Sequence, residues 1–174
     1  HSQIKILWTL HDCWAFTGHC AHFSAAKCDR WKSGCGDCPQ LKAYPKTYGA
    51  DHTQRNYRQK QACFTGLANL TIIVPSEWLA RTVKQSFLKE YPVEVVHNQI
   101  DKSLFKPTPS DFREQYGLDG KTVILGAASV WDKEKGLLDF CRLREKLDSR
   151  FAIVLVGVTD KQKSRLLPGI LALP

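Results

Sequence analysis

Methionine is missing from this chain, which opens on His1 and therefore carries no initiator residue. That reads as a fragment of a longer protein. Long hydrophobic runs are also missing: the longest, Phe151 to Val158, falls far short of the roughly 20 apolar residues that cross a bilayer. With no signal-peptide pattern at the N-terminus either, the expectation is a soluble protein. No internal repeat and no low-complexity tract interrupts the chain. Walker loops and GxGxxG fingerprints are absent, so nucleotide hydrolysis and dinucleotide binding lose ground. Basic residues are numerous but never dense, which takes away the clustered surface a nucleic-acid-binding module needs.

What remains is an ordinary globular composition: 174 residues, 43% hydrophobic and 24% charged. The length fits one domain or two. A net charge of +8 suits anionic partners such as nucleic acid, a membrane face or phosphorylated ligands, without choosing among them.

Short β-rich runs alternate with helical stretches. Ile4 to Leu10, Leu70 to Val74, Val93 to Val96, Thr122 to Ala128, Phe151 to Val158 and the final GILAL read as strands. Several are apolar on both faces, as parallel strands covered on each side are. Ser76 is a candidate N-cap for a helix carrying Leu79, Val83 and Phe87 and ended by Pro92. A second helix spans Gly136 to Leu147, and the more polar stretch Thr53 to Leu67 is a third candidate. The segment Asn98 to Asp111, with two prolines, reads as an interdomain crossing. The expected organisation is α/β with parts of two parallel-sheet domains, residues 1–97 and 98–174, each holding three strands.

In open parallel sheets, ligands sit beyond the carboxyl ends of the strands. That rule selects His11 and Asp12, Pro75 and Ser76, His97 and Asn98, and the stretch from Ala128 to Lys135. His11 follows a strand and is a candidate substrate contact. With Asp12 it makes a weak acid–base pair, since neighbours on one strand point to opposite faces. The stretch "GAASVWDKEKG", Gly126 to Gly136, sets small residues after a strand and a lysine before a helix, a pattern suited to phosphate.

Seven cysteines are present, and four of them, Cys20, Cys28, Cys35 and Cys38, follow one another with spacers of seven, six and two residues. The Cys35-Gly-Asp-Cys38 element has the two-residue spacer of a zinc knuckle, so a structural Zn site is expected, with His19 or His22 able to replace one sulfur. Free thiols and disulfides are the alternatives. Cys13, Cys63 and Cys141 read as small core residues.

The strings "LWTLHDCWAFTGHCAHF", "CDRWKSGCGDCPQ", "YPK", "VPSEWLA", "HNQID" and "LGAASVWDKEKGLLDF", in that order over nearly the whole chain, resemble a branch of the family-four glycosyltransferases that builds bacterial polysaccharides. The resemblance implies the GT-B fold of two Rossmann-like domains. It also implies hexosyl transfer, with retention and without a catalytic metal, from a nucleotide-diphosphate sugar to a glycan or lipid-linked acceptor. Residues 1–97 then match the later part of the acceptor-side domain, with His11 reaching the donor sugar. Residues 98–174 match the start of the donor-side domain, where Gly126, Ser129 and Lys135 hold the diphosphate. Gln99 replaces the usual glycine of the interdomain motif, and Ser129 stands where many members carry an arginine. Lys135 then bears more of the phosphate charge, with Lys133 as a substitute. The family's downstream glutamate pair is absent, so the chain alone is expected to be inactive. A cytoplasmic protein in peripheral contact with the inner membrane face completes the expectation. The rival is a zinc-stabilised nucleic-acid-binding module.

Overall fold

The protein is described here by a computed structural model covering residues 4–132 and 135–174. It forms two units, residues 1–102 and 103–174, with the division inside the proline-bearing segment.

The first unit is built on a parallel sheet of β1 (Ile6–Thr9), β2 (Leu70–Val74) and β3 (Val93–Val95), in that order. Ile6 pairs with Leu70, and Ile72 with Val93. The central strand is the apolar one. Leu70, Ile72 and Val74 are buried, whereas β1 leaves Ile6 and Leu7 exposed at the sheet edge. Between β1 and β2 lie two short 3-10 turns, Trp14–Phe16 and Arg30–Lys32, and then α1 (Thr53–Phe64). Phe16, Phe23 and Trp31 fill the space under this long connection, with Phe23 stacked on Trp31 at 4.6 Å between ring centroids.

Ser76 is the N-cap of α2 (Glu77–Val83), its Oγ accepting the Leu79 N–H at 3.2 Å. The helix is shorter than the Leu79–Val83–Phe87 stripe suggests. Ser86 Oγ donates to the Val83 carbonyl, and Lys84 Nζ donates to the carbonyls of Lys89 and Tyr91, which turns the chain before Phe87. Phe87 still packs on the core, from a turn rather than from the helix.

The second unit repeats the plan with β4 (Thr122–Ala127), β5 (Phe151–Val156) and β6 (Ile170–Leu173), again parallel and in sequence order. β5 is buried on both faces. Ile153 and Leu155 pack with Trp131 and, from α4 (Leu137–Lys146), with Leu137 and Phe140. Ala152 and Val154 pack with Leu118 and Phe112. Two four-residue helices, α3 (Phe112–Gln115) and α5 (Asp160–Lys163), have too few residues to show an apolar stripe, so periodicity does not predict them. The fold class is α/β, and both sheets are partial Rossmann-like units of the kind from which GT-B enzymes are built.

Candidate functional site

In the first unit, pairing continues one residue past β1, where the Leu10 N–H donates to the Ile73 carbonyl at 2.8 Å. His11 follows at once and is exposed at the carboxyl edge of the sheet. Asp12 serves a different purpose: its Oδ1 accepts the Trp14 N–H at 2.8 Å and starts the turn into Trp14–Phe16. On the same edge Ser76 is engaged as the α2 cap, and His97 Nδ1 lies 2.9 Å from the Pro75 carbonyl oxygen.

Lys60 reaches this region from α1. It donates to the carbonyls of Trp14 and Thr17 at 2.7 and 2.9 Å, with its ammonium 3.4 Å from the Trp14 ring centroid. Burial draws its pKa down to about 8, against an opposing pull from Cys35, Cys20 and Asp12. Periodicity gives no signal for Lys60, the one lysine of α1, because nothing in that polar pattern marks it as turned inward.

In the second unit the loop after β4 is braced by three hydrogen bonds. Ala128 N–H donates to the Val156 carbonyl at 3.2 Å, and the Trp131 indole donates to the same oxygen at 2.9 Å. Gln162 Nε2 then donates to the Trp131 carbonyl at 2.6 Å. Gly126 is buried, and a Cβ there would lie 2.8 to 2.9 Å from Leu155, Phe140 and Trp131, so its small size serves helix–sheet packing directly. Gly157, at φ +83, lets the end of β5 pass against the Ala128 carbonyl, where a Cβ would collide. A glycine just after an apolar strand was the available signal for Gly157.

Ser129 is exposed on this loop. Lys135 is exposed too, its backbone N–H donating to Asp132 Oδ1 at 2.9 Å, and Gly136 then adopts the left-handed conformation (φ +74) at the N-cap of α4. A helix N-terminus with a cation one residue outside it can receive an anion. Lys133 lies outside the described residues.

Cys20, Cys28, Cys35 and Cys38 all line one small cavity in the first unit, together with His19 and Trp31. The Gly18 N–H donates to Cys35 Sγ at 3.2 Å, and the Gln40 N–H is hydrogen-bonded to Cys38. Asp51 joins this loop to α1: its Oδ2 accepts the Cys38 N–H and its Oδ1 the Thr53 N–H, both at 2.7 Å. Those bonds, Cys38's foremost, hold the Asp51 carboxyl below its usual range. Burial pushes the Cys20 thiol up to about 11, and raises Cys35 and Cys38 as well. All seven cysteines are free, and among the described residues no three His, Cys, Asp or Glu side chains are already grouped as a metal ligand set. Of the three cysteines expected in the core, only Cys13 is fully buried there. Cys63 is exposed, because α1 turns only Thr53 and Tyr57 fully inward, and Cys141 is half-buried. His22 is exposed, whereas His19 is buried.

No protein-family model matches the chain. Over 43 residues it is 48% identical to WcaC of Escherichia coli (strain K12), whose name assigns it to colanic acid biosynthesis as a glycosyl transferase. The match takes in 25% of this chain and 10% of that protein's length. Among the described residues no helix is long and apolar enough to cross a membrane. Parallel Rossmann-like sheets and this local identity together relate the chain to the glycosyl transferases.

Proposed function

We propose that the chain is part of a family-four glycosyltransferase of the hexosyl type, moving a sugar with retention from a nucleotide-diphosphate donor to a glycan or lipid-linked acceptor. The observation that carries this reading is the braced loop after β4, which ends in Lys135, the left-handed Gly136 and the N-terminus of the ten-residue α4. The bonds to Val156 and Gln162 fix Ala128 and Trp131, and Lys135 with the N-terminus of α4 supplies the groups that would face an anion. In this reading Gly126 keeps β4 close under the loop, Ser129 and Lys135 contact the diphosphate, and His11 is the residue assigned to the donor sugar. The match to a protein of colanic acid biosynthesis supports a polysaccharide product.

The place of action is the cytoplasm, at the inner face of the membrane. The excess of basic residues supports peripheral contact with anionic lipid, each residue near the surface contributing about 1 kcal/mol. Equal recovery in the supernatant after sedimentation with neutral and with anionic vesicles would refute that contact.

The binding assignment is tested on the full-length protein by titrating uridine and guanosine diphosphate, with single-stranded nucleic acid as the comparison. Saturable one-to-one binding of a nucleoside diphosphate is expected. Binding of nucleic acid alone, falling steeply with salt, would replace this reading with that of a nucleic-acid module.

A further inference from the structure

Buried polar atoms in folded proteins almost always have a hydrogen-bond partner, and those without one call for a missing ligand, water or ion. Among the described residues, four buried side-chain atoms lack a partner: His19 Nε2, Trp31 Nε1, Thr53 Oγ1 and Gln40 Oε1. They come from different parts of the sequence, yet all four residues line the cavity that Cys20, Cys28, Cys35 and Cys38 share. Among the described residues, the hydrophobic core of neither sheet shows such a concentration.

The cavity holds about 10 Å3, room for roughly one small atom and too little for any organic ligand. Its four sulfurs select a soft, borderline cation over Mg2+ or Ca2+, which take oxygen ligands. Three of these atoms fit the surroundings of a thiolate centre, whose sulfurs carry net negative charge and accept hydrogen bonds, whereas Gln40 Oε1 is an acceptor and takes no part. The Trp31 indole and the Thr53 hydroxyl are donors. His19 belongs with them: its Nδ1 lies 3.1 Å from Thr47 Oγ1, and with Thr47 donating, Nε2 carries the proton. Backbone donors already address two of the sulfurs, from Gly18 to Cys35 and from Gln40 to Cys38. The approach at Gly18 is close enough that a Cβ there would come within 2.8 Å of the Cys35 Cβ.

We propose that Cys20, Cys28, Cys35 and Cys38 bind one Zn2+ as a tetrathiolate centre, with His19, Trp31 and Thr53 as hydrogen-bond donors to its sulfurs. The ion draws the four side chains inward by rotation about a cavity they already line. Its role is structural. Four protein ligands fill the tetrahedron and leave no position for substrate. It ties the Cys20–Cys38 loop to the N-terminus of α1, through Asp51 and Thr53, at the stretch that carries His11 and Trp14 away from β1. This assignment does not depend on the transferase reading, since it rests on residues remote from Lys135 in sequence and on none of the donor contacts.

The test is metal analysis of the chain, purified without chelator from cells supplied with zinc, together with X-ray absorption at the zinc edge. One zinc per chain is expected, with four sulfurs at about 2.3 Å. Cys35→Ser and Cys38→Ser should each lose the metal. His19→Gln should keep one zinc per chain while binding it about 10- to 100-fold more weakly against a competing chelator, the scale of removing a partner outside the ligand set. Zinc below a tenth of an equivalent in the parent protein would overturn the proposal. So would a disulfide among the four cysteines, or a shell of three sulfurs and one nitrogen.

Discussion

Lys60 shows how one side chain reports the electrostatics of the loop it supports. Burial lowers its pKa from 10.5 to about 8, so between those values the unfolded chain holds a proton that the folded chain releases. The stability owed to Lys60 is therefore full above pH 10.5 and lost as pH falls towards 8. Unfolding by denaturant at a series of pH values, in the parent and in Lys60→Met, isolates the effect. The parent's stability relative to the variant should rise from pH 8 to pH 10.5, and a difference that stays flat over that window would contradict the burial argument.

At the scale of elements, most of the fold was readable because the signals were local. Leu70 to Val74, apolar but for Thr71, forms the central strand of its sheet, and Ser76 caps the helix it precedes. Ser76→Ala should cost about 1 kcal/mol of stability, measured by urea unfolding, and a change below a few tenths would show that the cap is replaced by another donor–acceptor arrangement. The early end of α2 has a side-chain cause that apolar spacing does not register, since Lys84 and Ser86 donate to the nearby carbonyls of Lys89, Tyr91 and Val83. The cysteine series was visible from spacing, but its setting was not. That Trp31 and Thr53 face the same cavity depends on aromatic stacking with Phe23 and on the docking of α1, neither of which leaves a periodic trace. Gly126 was selected for phosphate approach, and its contacts with Trp131, Phe140 and Leu155 add a packing reason that requires the helix to be in place.

At the scale of the whole molecule, the central claim is that the loop between β4 and α4 holds the diphosphate of a sugar donor. Negative charge grows on the departing diphosphate as the sugar leaves, so a cation fixed there acts more on the transition state than on the bound donor. Lys135 is the candidate, because Ser129 supplies no charge where a second cation is common in the resembling family. The most direct measurement is turnover of the full-length enzyme at saturating donor, for the parent, Lys135→Ala and Lys133→Ala, with folding checked by circular dichroism. Lys135→Ala should lower turnover by about 10² to 10³ with folding intact, and Lys133→Ala should change it far less. Parent-like turnover in both variants would contradict the account and leave Lys135 as a surface lysine.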